Sequence, residues 1–302
     1  MNQGVTKWLH ANLHKIIEME SITAYFSDIP SSHRSVILVG GLAFFFILEN
    51  VAPFFKGGYN KWKHSGINIF FTLTTIVVNF VMAFLLFLAA EWVVSHNFGL
   101  LQWVEMSLPL QLIIGLLVMD LVGAYTVHWI EHKVTWMWQF HVIHHTDQNI
   151  DSTTANRHHP GESVIRFTFA IIAVLVTGAP IWLVFLYQTL SAFLSQFNHS
   201  NLNLPVPIDN VLKLVICTPH MHRVHHHFRQ PYSDSNYGNI FSFWDRIFGT
   251  YVAVDNNKLV YGVDTYMKQE DVESVSYLLK LPFAGYRKPL HYDKEERLKV
   301  KE

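Results

Sequence analysis

Four long apolar runs dominate the hydropathy pattern of the chain. They cover residues 36–52, 67–90, 108–127 and 164–197. The second contains no charged residue, and the third carries only Asp120. A helix needs about 20 apolar residues to cross the hydrocarbon core of a bilayer. Buried helices of a large soluble protein explain four such runs poorly. The pattern therefore predicts an all-α integral membrane protein with four to five transmembrane helices.

The polar stretches around these runs divide the chain into three predicted parts. Residues 1–35 form an N-terminal segment in which Trp8-Leu9 and Ile16-Ile17, beside two lysines, suggest a helix lying at the membrane surface. Residues 36–252 form the membrane domain. Residues 253–302 are polar, with scattered charges, and are expected to be a C-terminal surface tail.

The distribution of lysine and arginine predicts the orientation in the membrane. The loop 54–66 carries three lysines, whereas the loop 91–107 carries no lysine or arginine. Basic loops stay on the cytoplasmic side, so the first loop should be cytoplasmic and the second external. Residues 128–163 and 198–302 would then form a cytoplasmic helical cap.

Composition narrows the class of protein further. Only 15% of the residues are charged, against about 25% in soluble domains. The 22 basic and 23 acidic residues nearly cancel, which gives no basic surface for nucleic acid. Cys217 is the single cysteine, so an internal disulfide framework and a multi-cysteine metal centre are excluded. Histidine is abundant, with 19 copies, and 13 of these lie between His128 and His227.

The spacing of these histidines indicates metal binding. Each cluster has the spacing that places its members on one face of a helix. Imidazole is a common ligand of iron and zinc, and eight rings exceed what one tetrahedral zinc ion uses, so two metals are predicted. The clusters are His128 with His132, His141 with His144 and His145, and His222 with His225 and His226.

The first cluster begins where the third apolar run stops, which places the predicted site at the cytoplasmic edge of the membrane. Asp120 lies eight residues before His128, inside that run. Carboxylates within a membrane usually face a polar interior, so Asp120 is expected to hydrogen-bond a ligand histidine.

The fourth apolar run is too long for one crossing and too short for two full ones. His159 and His199 flank it and are expected to reach the same site, so the chain must enter the membrane and return. Gly178 and Pro180 at its middle favour a turn. A helical hairpin is therefore predicted.

With these motifs in hand, the chain resembles the fatty acid hydroxylase / sterol desaturase superfamily of integral-membrane di-iron enzymes. The resemblance covers roughly residues 40–252 and rests on the histidine clusters in the family's order and on several shorter motifs. These motifs are Glu49-x-x-x-Pro53, Arg157-His158-His159-Pro160-x-Glu162, Asn198-His199-Ser200-Asn201 and the segment from Asp234 through Asn236-Tyr237-Gly238 and Trp244-Asp245 to Phe248-Gly249-Thr250.

The resemblance implies a set of ten metal ligands. They are His128, His132, His141, His144, His145, His159, His199, His222, His225 and His226. His158 and His159 could exchange roles, whereas His220 and His227 flank the pattern. The implied cofactor is a pair of iron ions, for which zinc can substitute in purified protein.

The resemblance also implies the reaction, an O2-dependent hydroxylation or desaturation of an unactivated C–H bond of a lipid. No GxGxxG nucleotide fingerprint occurs in the chain. Electrons are therefore expected from a separate partner such as cytochrome b5, ferredoxin or a reductase; alkylglycerol monooxygenases of the superfamily use a pterin. Sterol, fatty acyl, carotenoid, sphingoid and ether lipids all remain open as substrates. A bacterial inner membrane is the expected location, with the endoplasmic reticulum as the alternative.

Three other functions compete with this interpretation. His128-Trp-Ile-Glu131-His132 reads as HxxEH, a zinc-peptidase motif in which Glu131 is the general base, which makes a membrane metallohydrolase the main alternative. That motif leaves the other clusters unexplained. A haem-binding bundle needs histidines facing one another within the bilayer. A metal transporter needs ionisable residues at mid-membrane, where only Asp120 and Glu49 come close.

Overall fold

The structure, a computed structural model, describes residues 19–56 and 58–289. The proposed surface helix around Trp8 and Ile16 lies outside these residues. The described part of the chain is helical and contains no strand, as predicted. Residues 19–27 are helical and precede the first named helix.

The helices differ greatly in length, and the five long ones, α1, α2, α4, α7 and α8, come from the apolar runs. The named helices, in chain order, are α1 Ser31–Val51, α2 Lys61–Ser95, α3 Leu100–Trp103, α4 Leu108–Asp120, α5 Val127–Lys133, α6 Thr135–His145, α7 Pro160–Thr177, α8 Ile181–His199, α9 Val206–Leu212, α10 Pro219–His225, α11 Phe243–Ile247, α12 Gln269–Val272 and α13 Val275–Lys280. Short 3-10 turns lie at Ser152–Asn156, Tyr232–Asp234, Asn256–Lys258 and Leu281–Phe283, and a π-helical turn, Leu121–Thr126, joins α4 to α5.

Four helical segments are long and apolar enough to cross a membrane, which confirms the predicted number of spans. They are Ser31–Val51, Lys61–Trp103, Leu108–Lys133 and Pro160–Thr177. Large apolar side chains cover their outer surface; Phe80 in α2, for example, is 82% exposed. Exposed tryptophans lie near both ends of α2, at Trp62 and Trp92. Thirty residues of helix separate them by about 45 Å, the thickness of a bilayer with its headgroup layers.

The predicted hairpin is present in the fourth apolar run. Helix α7 ends at Thr177, Gly178 adopts a left-handed conformation with φ 69°, and Pro180 precedes α8. The Gln102 side-chain amide donates to the Gly178 carbonyl at 2.8 Å. The turn thus lies beside the loop that follows α2, while His159 and His199 return to the opposite end of the bundle.

The core that fixes this arrangement lies between α4, α7 and α8. Its buried members include Met119, Phe167, Ala173 and Leu183. Helix α4 approaches α8 so closely that a Cβ built on Gly115 would lie 2.3 Å from Leu183. A larger residue at position 115 would therefore require the Leu183 side chain to move.

Helix α4 does not continue smoothly into α5. The π-helical turn Leu121–Thr126 accommodates one extra residue, a distortion that is common at functional sites. It lies directly before His128 and His132, the first histidine cluster, and so sets the angle at which those side chains leave the bundle.

Residues 253–289 differ from the surface tail expected there. Val263, Val272 and Leu278 are buried and pack with Phe71 of α2 and Ile143 of α6. This packing was not predicted, because the apolar residues of the stretch are irregularly spaced and interspersed with charged residues. Part of the stretch lies beside the histidine clusters, because Val263 and Asp264 line a cavity together with His132 and His145.

Candidate metal centre

Nine of the ten histidines predicted to bind metal gather into two adjacent groups at one end of the bundle. Within each group, one nitrogen atom from every ring lies within 4.8 Å of the others, and nearly every ring is buried. Site A contains His128, His132, His141, His145 and His225. Site B contains His144, His199, His222 and His226.

The HxxHH spacing explains how two helices serve both sites. In α6, His141 and His145 are one turn apart and face site A, while His144 faces site B. The third cluster reverses this assignment. His222 and His226 face site B, whereas His225 faces site A. Each of these two boxes therefore contributes its i, i+4 pair to one site and its intervening histidine to the other.

Ring pairs hold the two sites together. Three pairs, each with one ring from either site, are nearly parallel, with centroids 4.8 to 5.2 Å apart. The pairs are His141 with His144, His145 with His226, and His222 with His225. The two sites adjoin and could hold two metal ions side by side, because these ring pairs join them.

The nitrogen atoms inside each site are close together. The His145 Nε2 atom lies 3.1 Å from Nε2 of both His132 and His141. In site B, Nε2 of His199 lies 3.1 Å from that of His144 and 3.0 Å from that of His222. Two ligands at right angles around a metal, each about 2.1 Å away, are about 3.0 Å apart. The nitrogen atoms therefore fit a shared cation.

Unpaired nitrogen atoms point to the same conclusion. Nε2 of His128 and of His225 in site A, and both ring nitrogens of His226 in site B, are buried without a hydrogen-bond partner. A buried polar atom left unpaired costs about 1–3 kcal/mol. A metal ion in each site would satisfy Nε2 of His128 and of His225 and one of the two ring nitrogens of His226.

The clustered rings outside the membrane spans are held neutral. Burial, followed by the neighbouring imidazoles, lowers the pKa of His144 and His145 well below the usual value. The same causes lower the pKa of His222 and His226. A neutral imidazole has a lone pair for a metal, so the donors are ready at neutral pH.

Hydrogen bonds fix which nitrogen of each ring faces the metal. Nδ1 of His128 donates to the Tyr237 carbonyl at 2.9 Å, and Nδ1 of His225 donates to the Ser235 carbonyl at 2.7 Å. Nδ1 of His199 donates to the Ser195 carbonyl at 2.8 Å. Such bonds leave Nε2 free to bind the metal and hold the ring in place.

A buried ionic network orients His141. Its Nδ1 donates to Oε1 of Glu162 at 2.7 Å, and Oε1 also accepts from Arg166 at 3.0 Å. Arg166 donates to Glu131 at 2.6 Å as well, so one cation joins two carboxylates that are fully buried. Arg166 is the single charged residue of the fourth apolar run, and the sequence analysis assigned it no role. Its i, i+4 spacing from Glu162 was the available signal.

This network also bears on the HxxEH alternative. A peptidase requires the Glu131 carboxylate to activate a metal-bound water. Instead, Oε2 of Glu131 is bonded to Arg166 and lies 3.8 Å from Nδ1 of His141, on the side of that ring that faces away from site A. Glu131 is therefore oriented toward the ionic network.

His159 is the one predicted ligand that the structure does not bring to either site. Its Nδ1 accepts from the Gly161 amide at 2.9 Å, because His159 caps the N-terminus of α7. His158 turns inward in its place, with Nδ1 2.8 Å from Glu162 and its ring stacked on His144 at 4.7 Å. It belongs to a smaller group with His141 and Glu162 and joins neither site A nor site B.

Asp120 also has a different partner from the one expected. Its carboxylate accepts from the backbone amides of Ile240 and Phe241, at 3.3 and 3.1 Å, and from the Trp244 indole at 3.0 Å. Two helical turns, about 12 Å, separate Asp120 from His128, which is too far for contact. Asp120 instead attaches α11 to the membrane bundle.

Together, the fold and the site define a helical membrane protein with two adjoining histidine groups able to hold metal. The model of the fatty acid hydroxylase family matches residues 112–250, which contain all nine clustered histidines. The resemblance drawn from the motifs is confirmed: over residues 112–250 the chain is similar to the fatty acid hydroxylase family, part of the fatty acid hydroxylase / sterol desaturase superfamily.

Curated relatives extend the comparison. Ornithine lipid hydroxylase of Rhizobium tropici is 24% identical over 238 residues, 76% of this chain and 70% of that protein. Human alkylglycerol monooxygenase is 33% identical over 150 residues, 47% of this chain and 30% of its own length. A cholesterol 25-hydroxylase-like protein of Danio rerio is 29% identical over 126 residues, 41% of this chain and 48% of that protein. No solved structure matches the chain. The family and its hydroxylase and monooxygenase members identify the chain as an oxidoreductase.

Proposed function

We propose that this protein is a membrane-bound non-haem di-iron oxygenase that hydroxylates an unactivated C–H bond of a lipid. The reaction consumes O2, two electrons and two protons, and it yields one alcohol and one water. Loss of a second hydrogen in place of hydroxylation would give an alkene, so desaturation belongs to the same proposal.

One observation carries the proposal, namely the two all-histidine groups that share the boxes of α6 and α10 at the end of a membrane bundle. Imidazoles in this number suit a pair of redox-active metals, because a single zinc ion uses four ligands. The hydroxylases among the relatives act on lipids by name, which supports a lipid substrate. The choice among sterol, fatty acyl, carotenoid, sphingoid and ether lipids stays open.

The proposed ligands are the nine histidines of sites A and B; His159 is not in the set. When bound, iron supplies the reduction of O2 and the removal of hydrogen from the substrate. Zinc can replace it in purified protein, because first-row metals compete for imidazole sites. The chain holds the rings neutral, fixes their orientation through Glu162 and backbone carbonyls, and excludes water by burial.

Two further parts of the proposal concern the partner and the location. The electrons come from a separate carrier such as cytochrome b5, ferredoxin or a reductase; a pterin is the alternative donor. The membrane is the bacterial inner membrane, with the histidine sites on its cytoplasmic side. The relative aligned over 76% of this chain comes from a bacterium, which favours this over the endoplasmic reticulum.

The decisive experiment measures turnover of a membrane lipid extract by iron-loaded protein in nanodiscs, with a chemical reductant and 18O2. A hydroxylated lipid should gain one labelled oxygen, and no product should form without O2 or without reductant. His222→Ala should abolish the product, whereas His33→Ala, at an exposed position far from either site, should not. A product that forms anaerobically would refute the oxygenase.

A further inference from the structure

Two short helices of the cap have their polarity reversed. In α9, Asp209 is buried while Val206, Ile208 and Val211 are 66%, 51% and 67% exposed. In α11, Asp245 is buried while Ile247 is 63% exposed. A helix at a water-facing surface turns its acidic residues outward. Both helices therefore expose apolar side chains where a soluble cap would expose polar ones.

The two reversed helices form one surface. The backbones that follow α9 and precede α11 are paired, with the Cys217 amide donating to the Ile240 carbonyl and the Ser242 amide donating to the Val215 carbonyl, both at 3.0 Å. Leu214 and Phe248 extend the exposed face, at 62% and 53% exposure. The apolar wedge, as we name this surface, thus consists of Val206, Ile208, Val211, Leu214, Ile247 and Phe248.

Contacts with the third span place the wedge at a definite level. The Phe248 ring stacks on Tyr125 with centroids 5.2 Å apart, and Thr250 shares a 2.7 Å hydrogen bond with the Tyr125 hydroxyl. Asp120 anchors the start of α11, as described above. Trp129, 40% exposed, marks the interface on that span. Tyr125 lies about 6 Å deeper than Trp129 along the helix, and Asp120 about 13 Å deeper.

The other half of the wedge sits beside the first span. Leu212 at the end of α9 packs against the cluster formed by Phe45 of α1, Phe197 of α8 and Leu202, which Leu48 of α1 also contacts. Phe45 and Leu48 lie within the last two turns of α1. The wedge is therefore continuous with the lipid-facing surface of the spans and does not project away from it.

Cations flank the wedge in the positions that suit lipid headgroups. Lys213 follows α9, its side chain is 27% exposed, and its Nζ lies 3.5 Å from the Asp209 carboxylate. Arg246 lies in α11 with its guanidinium over the Tyr251 ring at 4.3 Å. Long basic side chains at an interface keep their stems in the apolar layer and reach phosphates with their charged ends.

We propose that α9 and α11 are embedded in the leaflet beneath the cap, so that the apolar wedge contacts lipid acyl chains while Lys213 and Arg246 meet the headgroup phosphates. The contact of Phe248 with Tyr125, about 6 Å below Trp129, lies within the 5–10 Å to which interfacial helices sink. This inference rests on the membrane location in the proposed function, but it does not depend on the reaction catalysed.

Spin labels test the proposal without turnover. Single cysteines at Val211 and Ile247 are labelled in full-length protein in nanodiscs of phosphatidylethanolamine and phosphatidylglycerol, with Phe80 as the lipid-facing reference and Lys258 as the exposed cap reference. Labels at Val211 and Ile247 should be relaxed by O2 and protected from a water-soluble nickel complex, as at Phe80. Relaxation by nickel as strong as at Lys258 would overturn the proposal. Nickel access at Phe80 would refute the membrane assignment itself.

A second measurement uses the unsubstituted protein. A diazirine placed on the lipid acyl chain should label peptides spanning residues 206–216 and 241–250 and spare residues 255–265. Absence of label from the first two would contradict lipid contact. Coverage of the wedge by a second copy of the chain would also overturn the proposal; it would appear as dipolar broadening between Val211 labels that vanishes on dilution with unlabelled protein.

Discussion

His144 and His145 are consecutive residues of α6, yet their rings belong to different metal sites. The ring planes are nearly perpendicular, at 86°, and the centroids are 5.5 Å apart. A helix turns about 100° per residue, so adjacent histidines must face different directions. One short helix therefore contributes a ring to each site, and loss of either side chain should have a site-specific effect.

The first prediction concerns metal content. Protein loaded with iron should hold about two metals per chain. His144→Ala removes one of four donors from site B, and His145→Ala removes one of five from site A. Metal analysis should show a clear loss in both variants and a larger loss for His144→Ala. His33→Ala should retain the full content. One metal or none in the unsubstituted, iron-loaded protein would contradict the dinuclear assignment.

The ionic network of Glu162, Arg166 and Glu131 should raise the metal affinity of site A, because it orients His141. Glu162→Gln keeps the shape of the side chain but removes the charge that His141 and Arg166 share. Loss of such a partner typically costs 10–100-fold in metal affinity. Titration against a metal buffer should show weaker binding at site A. Glu273→Gln, which removes a carboxylate paired with Lys63 at the surface, is the matched control and should leave affinity unchanged.

Substitution of Glu131 distinguishes the oxygenase hypothesis from the hydrolase hypothesis. If Glu131 were a general base, Glu131→Gln would retain metal and lose all turnover, and the reaction would need neither O2 nor reductant. In the arrangement described here Glu131 only supports Arg166. Turnover in Glu131→Gln should therefore be reduced but still depend on O2. Activity that survives His222→Ala and disappears with Glu131→Gln would decide for the hydrolase.

Thiol labelling tests the sidedness of the spans. In a background without Cys217, a cysteine at Lys133 and one at Asp234 should react with an impermeant reagent from the same side of the membrane, because these two side chains are paired. A cysteine at Ser95, at the other end of α2, should react from the opposite side only. Labelling of Lys133 and Asp234 from opposite sides would refute the hairpin that brings both ends of the fourth run together.

The hairpin turn offers a stability test with two controls. At Gly178 the backbone φ is 69°, and a Cβ would lie 2.7 Å from the Phe98 carbonyl oxygen. Gly249 has nearly the same φ, 70°, but no atom near its Cβ direction, and Gly40 lies in a regular helix with open space. Alanine at Gly249 should cost about 1–2 kcal/mol. Thermal unfolding should show a larger loss for Gly178→Ala and little change for Gly40→Ala.

The sequence predicted features that depend on spacing along one helix. Runs of apolar residues located the spans and the hairpin, because span length is fixed by the bilayer. The HxxHH spacing located the clustered histidines, because a helix brings i and i+4 together. Which site each ring joins was not predicted, since that depends on how α6 and α10 meet across a long separation in sequence.

The predictions that were wrong concern residues whose partners also depend on contacts that the local sequence pattern does not show. His158 and His159 are neighbours, and only the capping of α7 by His159 decides which of them turns inward. Asp120 was assigned by its distance along the chain, whereas its partners lie 120 residues away in the segment before and within α11. The packing of residues 263–281 against α2 and α6 likewise rests on contacts without a local pattern.

The loop that holds His128 and His225 has a consequence for how the centre tolerates change during evolution. Both rings are fixed by main-chain carbonyls two residues apart, Tyr237 and Ser235, so substitutions of those side chains leave the acceptors intact. The residue between them, Asn236, is the one whose substitution would disturb the loop. Asn236 has φ 52°, and its amide bonds the carbonyls of Met221 and Val252. A change there would move two ligands from distant helices together, although Asn236 touches neither of them.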